Sequence, residues 1–93
     1  MEMSKLEYNF LLYEISGKIN SNQLAKLVFM CREHIPKGAQ DSIQDVLTLF
    51  KVLEEHSRLG IDDLEMLKEI LRLLKKTSLF NKVKEFEDKR KGT

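Results

Sequence analysis

A thiol and an imidazole stand three residues apart at Cys31 and His34, a spacing at which a helical turn makes side chains neighbours. Such a pair can act as nucleophile and base, provided that solvent and substrate reach the thiolate. The apolar spacing around it argues for a different role. Leu24, Leu27, Val28 and Cys31 share one helical stripe, which places the sulfur in a core, where a thiol is inert. Metal binding needs more ligands than the chain offers, because His34 and His56 are its only histidines and Cys31 its only cysteine. No Gly-rich phosphate loop occurs. The expectation is therefore no enzyme, no cofactor and no metal, and function must lie in side chains that bind.

Length and composition set the frame for those side chains. The 93 residues are 42% hydrophobic and 33% charged, which suits a compact helical core under a solvated surface and neither a disordered chain nor a membrane protein. One domain over residues 1–93 is expected, with a core at about 5–89 and a frayed Lys-Arg-Lys-Gly-Thr end. A net charge of +1 lacks the basic excess of a nucleic-acid binder. No run approaches the roughly 18 apolar residues that span a bilayer. The first residues lack the apolar stretch of a signal peptide. A single cysteine allows no internal disulfide and fits a reducing compartment. These features together predict a cytoplasmic protein with neither nucleic acid nor membrane as partner.

Hydrophobic spacing is helical almost throughout, giving an all-α bundle of six helices. Helix one is expected over 5–16, with Ser4 and Glu7 as a capping box and Gly17 at the C′ position. Helix two follows over 21–33, capped by Asn20 or Ser21, until Pro36 and Gly38 break the pattern. A short helical turn near 39–41 and helix four over 43–56, capped by Ser42, come next. Asp62 and Glu65 read as the cap of helix five, which runs to about residue 76. Helix six starts at Thr77 or Ser78 and reaches about residue 89. The short connections make consecutive helices near neighbours, mostly antiparallel.

A core accounts for most apolar positions. Ile43, Val46, Leu47, Phe50 and Leu53 form the stripe of helix four. Leu64, Leu67, Leu71 and Leu74 form that of helix five, and Leu79, Val83 and Phe86 that of helix six. Phe29 does not fit: at about 100° per residue it points roughly 150° from the centre of its stripe. Helix one carries two stripes, with Tyr8, Leu11, Leu12 and Ile15 on one side and Leu6, Phe10 and Tyr13 on the other. A peripheral helix in so small a bundle buries only one of them. Phe29 and Tyr13 either cover gaps between helices or form an exposed patch for a partner.

Charge is also uneven. Asp41, Asp45, Glu54, Glu55, Asp62, Asp63 and Glu65 crowd one stretch. Lys68, Arg72, Lys75, Lys76, Lys82, Lys84, Lys89 and Arg90 crowd the next. Most are solvated surface, yet opposite patches on different faces let copies stack head to tail, a contact that need not close and so can build a filament.

Several segments carry a resemblance. Leu27-Val28-Phe29-Met30-Cys31, Leu47-Thr48-Leu49-Phe50, Lys75-Lys76-Thr77-Ser78-Leu79-Phe80 and Phe86-Glu87 resemble the death effector domain, a member of the death-fold superfamily, over about residues 8–87. Adaptor-type members are the most similar in spacing, and initiator caspase prodomains and FLIP-type inhibitors are also similar. The resemblance implies an antiparallel six-helix bundle with a short helix three. It implies homotypic assembly with other death-effector proteins (initiator caspase, adaptor or FLIP-type regulator), self-association or filaments included, in death-receptor apoptosis. It also implies an interaction surface containing Phe29, Tyr13, Lys37, Arg72, Lys75 and Lys76. The family's charge triad is degenerate: Gln23 replaces its acid, Lys76 its arginine and Ser78 its aspartate. A lysine lacks the planar fork of arginine, so the usual ion network cannot form, and a neutral-to-cation hydrogen-bond set is the arrangement still open to Gln23, Lys76 and Ser78.

The alternatives to an adaptor-type module are the prodomain fragment of an initiator caspase and a FLIP-type inhibitor. A nucleic-acid or membrane-surface role for the basic C-terminal region is opposed by the near-neutral charge.

Overall fold

A capped, amphipathic segment becomes a helix when a neighbour covers its apolar face, and the first of these is α1, Lys5–Ser16. A computed structural model describes residues 5–91. Ser4 of the expected capping box lies outside the described residues, as do Gly92 and Thr93. After α1 come α2 (Ser21–Met30), α3 (Lys37–Gln40), α4 (Val46–Glu55), α5 (Glu65–Leu73) and α6 (Thr77–Lys91), with a 3-10 turn at Arg32–His34. The architecture is an all-α six-helix bundle with a short α3 and no strand among the described residues.

The core gathers one face from each long helix. Tyr8, Leu11, Leu12 and Ile15 of α1 are buried, as are Leu27 of α2, Leu49, Phe50 and Leu53 of α4, Leu67, Ile70 and Leu71 of α5, and Leu79, Val83 and Phe86 of α6. Helix α1 thus buries one of its two stripes and leaves Leu6, Phe10 and Tyr13 in solvent. Tyr8 keeps one polar atom within the core, and its hydroxyl donates to Glu54 Oε2 at 2.7 Å, tying α1 to α4. Burial first, then the adjacent Glu54 carboxylate, push the Tyr8 phenol well above the ordinary range.

Several expected boundaries shift, each for a local reason. Helix α4 begins at Val46 rather than residue 43. Its cap is Asp45, which accepts from the Thr48 amide at 2.7 Å, whereas the Ser42 hydroxyl donates to the Ala39 carbonyl at 2.8 Å and closes α3. Leu47 is 44% exposed, so the stripe of α4 runs through Val46, Leu49, Phe50 and Leu53. Helix α5 starts at Glu65 without a side-chain cap, because Leu64, which has no polar side-chain atom, holds the N-cap position; the Asp62 carboxylate accepts from Arg90 of α6 at 2.9 Å. Helix α2 stops at Met30 and tightens into the 3-10 turn ahead of Pro36, which disfavours helical backbone at the residue before it. Gly17 has no left-handed backbone.

Two helices end on side-chain-bearing residues in that left-handed region. Ser57 follows α4 at φ 58°, and Lys75 follows α5 at φ 60°. Each forms the paired bonds of a Schellman cap. Arg58 N donates to Leu53 O at 2.8 Å and Ser57 N to Glu54 O at 3.1 Å. After α5, Lys76 N donates to Leu71 O at 2.9 Å and Lys75 N to Arg72 O at 3.0 Å. This cap ends α5 at Leu73, short of the expected residue 76, and turns the chain into α6.

Candidate functional site

Helix α2 is set in place at its first turn. The Asn20 side chain accepts from Gln23 N at 2.9 Å and the Gln23 side chain accepts from Asn20 N at 3.0 Å, a reciprocal capping box. Leu27 and Cys31 then enter the core, with Leu24 and Val28 half-buried beside them. That registration turns Phe29 outward, where it is 62% exposed. The Arg32 guanidinium lies over its ring, 4.3 Å from the centroid, and holds one face of the aromatic in a cation–π contact.

Phe29 belongs to a groove. Between α2 and the end of α5, Gln23, Ala25, Lys26, Phe29, Met30, Leu73, Leu74 and Lys75 enclose about 540 Å³. Met30 and Leu73 are exposed apolars like Phe29. A cluster of apolar side chains rimmed by polar ones is the anatomy of a protein-binding surface. Neither Met30 nor Leu73 is among the site residues expected from the sequence, although the same angular rule points outward for both: Leu73 lies about 140° from the centre of the Leu64, Leu67, Leu71 and Leu74 stripe, and Met30 about 110° from the centre of the α2 stripe.

The other expected site residues are scattered. Lys75 lines the groove, its place fixed by the α5 cap. Lys76 does not line it; its ammonium donates to the Lys18 carbonyl at 2.8 Å and ties the α5–α6 turn to the α1–α2 loop. Arg72 is exposed but already engaged, donating to both carboxylate oxygens of Glu69 one turn back. That bond holds the Glu69 carboxyl below and the Arg72 guanidinium above their ordinary values. Lys37 opens α3, apart from the groove lining, and Tyr13 rests near Phe10 on α1 with ring centroids 6.3 Å apart. Of the three degenerate triad positions, Gln23 serves the capping box, Lys76 serves the Lys18 carbonyl and Ser78 is exposed. Among the described residues no hydrogen bond joins the three to one another.

The charged stretches are partly neutralised within the fold. Lys68 pairs with Glu87 at 2.8 Å and Glu65 at 3.4 Å, Lys82 with Glu14 at 3.3 Å, and Arg90 with Asp62 at 2.9 Å. The bond to Glu87 raises the Lys68 pKa. Among the described residues, Asp41, Glu55 and Asp63 on the acidic side, and Lys75, Lys84 and Lys89 on the basic side, stand outside these pairs. Cys31 is 3% exposed, and burial pushes its thiol up, which leaves it a poor nucleophile at neutral pH. No cluster of three or more His, Cys, Asp or Glu residues among those described could hold a metal ion, and no helix among the described residues is long and apolar enough to cross a membrane.

The chain is similar in sequence to known proteins. Rat (Rattus norvegicus) caspase-8 is 38% identical over 78 residues, which are 84% of this chain and 16% of that protein. The mouse (Mus musculus) FAS-associated death domain protein is 35% identical over 77 residues, 83% of this chain and 38% of its own length. Human astrocytic phosphoprotein PEA-15 is 28% identical over 80 residues, 86% of this chain and 62% of its own. The chain thus spans less than two thirds of the length of each of these relatives. The death effector domain profile, which describes a family of protein-interaction domains, matches residues 8–89, from the buried Tyr8 to the last turn of α6. The chain belongs to the death effector domain family.

Proposed function

We propose that the chain is a non-catalytic, adaptor-type interaction module of death-receptor apoptosis, which assembles like with like and recruits an initiator caspase in the cytoplasm. The single observation that carries this reading is Phe29, 62% exposed at the mouth of an apolar groove that contains two further exposed apolars, Met30 and Leu73. A large aromatic held rigidly in solvent is the usual anchor of an interface. In this reading Phe29 supplies the apolar anchor and Lys26 and Lys75 the basic rim. Asp41, Glu55 and Asp63, acids of the 41–65 stretch, are the complementary face of the next copy. Arg72 joins by exchanging Glu69 for a partner carboxylate, an exchange that costs little for an exposed pair. Tyr13 and Lys37 serve further contact faces. The charge triad has no part in it, since Gln23, Lys76 and Ser78 hold no ion network. A second reading, the prodomain fragment of an initiator caspase, is favoured by the 38% identity to rat caspase-8; a protease domain encoded downstream decides between them.

The test is size-exclusion chromatography with light scattering on the wild type and Phe29→Asp, at low and moderate salt, with binding to a fluorescent death effector segment of caspase-8. The wild type should grow with concentration beyond a dimer and bind the segment. The folded variant should do neither, with affinity lowered by at least about 30-fold, the size of a 2 kcal/mol hot spot. Loss of helicity in the variant, or growth and binding equal to the wild type, defeats the reading.

A further inference from the structure

A second groove, also of about 540 Å³, runs between α1 and α6 and shares no residue with the α2/α5 surface. Its floor is Leu11 and Phe86, both buried, and its open lip carries Leu6 at 76% and Phe10 at 58% exposure. Nothing in the α2/α5 reading uses these residues.

The charges on its two walls follow a pattern. Glu14 meets Lys82 across the groove at 3.3 Å, and the Tyr8 and Phe86 rings approach to 6.4 Å. Residue numbers thus fall along α1 as they rise along α6, so the two helices run antiparallel. From Glu14 to Glu7 is seven residues, and so is Lys82 to Lys89; at 1.5 Å per residue both spans are about 10.5 Å. Glu7 therefore lies level with Lys89. The α1 wall is acidic at both ends and the α6 wall basic at both ends, with equal spacing and the exposed Leu6 and Phe10 beside it. Glu85, the remaining charge in the lining, lies level with Leu11 and faces no acid across the groove.

We propose that this α1/α6 groove docks a second copy of the same chain, about a two-fold axis lying along the groove. That axis places each α1 wall over the partner's α6 wall, so Glu14 and Glu7 of one copy meet Lys82 and Lys89 of the other, twice over. Phe10 and Leu6 close the centre, out of water. A two-fold across the groove is excluded by charge, because it stacks Glu14 on Glu7 and Lys82 on Lys89. An isologous contact of this kind closes at two copies. The α2/α5 contact is heterologous and does not close, so the two surfaces together join growing strands in pairs. The patch is small, and the dimer belongs to the weak, concentration-dependent class.

The experiment is sedimentation velocity from about 1 µM to 1 mM, a range that brackets weak dimers. It is run throughout in the Phe29→Asp background, or in Leu73→Asp, an exposed position of the same groove, should Phe29→Asp unfold, so that failure of the α2/α5 reading does not affect it. The background protein should dimerise at the upper end of the range. Phe10→Glu should weaken that dimer by at least about 30-fold, as loss of a central aromatic does. The decisive pair is Glu7→Lys with Glu14→Lys, and Lys82→Glu with Lys89→Glu. Each double variant has walls of one sign and should be monomeric alone, while an equimolar mixture should dimerise, because every contact in the mixed pair is again of opposite sign. Circular dichroism confirms that each is folded; the Glu14–Lys82 pair is half-exposed and its loss is mild. A monomeric background protein across the range overturns the proposal. So does either double variant dimerising alone as well as its parent, or a mixture that stays monomeric; binding of this face only to an amphipathic helix of another protein overturns it too.

Discussion

Replacing Lys75 by glycine should make the fold more stable and the protein a poorer binder. Lys75 sits at φ 60° in the Schellman cap of α5. An L-residue there crowds its Cβ against the following carbonyl, at about 1–2 kcal/mol. Glycine removes that crowding but gives the unfolded chain freedom worth about 0.4–1 kcal/mol. The net gain is up to about 1.6 kcal/mol and about 0.8 kcal/mol at the midpoints, and since 1 kcal/mol moves Tm by about 4–8 °C in a domain of this size, Tm should rise by about 3–6 °C. Lys75 also lines the α2/α5 groove, where a rim cation contributes about 0.2–1 kcal/mol to a contact, so association should weaken by up to about 5-fold. Ser57→Gly is the internal control, because Ser57 has the same backbone at φ 58° but lies outside the groove lining. It should raise Tm by a similar amount and leave association unchanged. Ser57→Ala, which keeps the Cβ, should not raise it. Thermal melts by circular dichroism and sedimentation equilibrium read both quantities. A Tm for Lys75→Gly at or below wild type, or a rise for Ser57→Ala equal to that of Ser57→Gly, refutes the reasoning.

Leu27→Ala should cost about 2–5 kcal/mol in urea unfolding, the range for a fully buried leucine, although it stands only two residues from the exposed Phe29. A cost under 1 kcal/mol would mean that α2 is not registered as described. Tyr8→Phe should cost about 1 kcal/mol by removing the donor to Glu54, and a double-mutant cycle with Glu54→Gln should show coupling between the two; additive costs would count against the bond. Asp45 caps α4, and the Thr48 amide first of all holds its carboxyl below the ordinary value. A carboxyl depressed in the folded state adds stability above its unfolded pKa of about 3.9, and that stability disappears as pH falls through the folded value. Asp45→Asn should therefore flatten the acid limb of stability below about pH 4, measured as the urea midpoint against pH; an unchanged limb would remove Asp45 from the acid response.

The helical class, the six segments and most of the core could be read from apolar spacing alone, because a stripe at 3.6-residue period has one stable use in a water-soluble chain. Leu27, Leu53, Leu71 and Val83 are buried for that reason, and Phe29 is exposed because its angle left no room for it in the stripe. Helix ends were less legible. Ser42, Asp45 and Asp62 are all competent caps by type; Asp45 caps α4, whereas Ser42 bonds the Ala39 carbonyl, Asp62 bonds Arg90, and Leu64 takes the N-cap position of α5. The Asp62–Arg90 bond joins residues 28 apart in sequence and leaves no local signal.

The same division holds for the surfaces. The off-stripe angle of Phe29, and the two stripes of α1, are properties of one helix at a time, so residue order alone determined that some apolar side chains must face water. Which of them share a groove is a property of pairs of helices. Leu73 and Met30 join Phe29 only because the end of α5 packs beside α2, and Leu6 and Phe10 face Lys82 and Lys89 only because α6 returns antiparallel to α1. Arg72 and Lys76 look alike in the sequence as free cations, yet Glu69 and the Lys18 carbonyl engage them. Periodicity is local and survives in a list of residues; juxtaposition is set by how helices pack, and only the tertiary structure decides it.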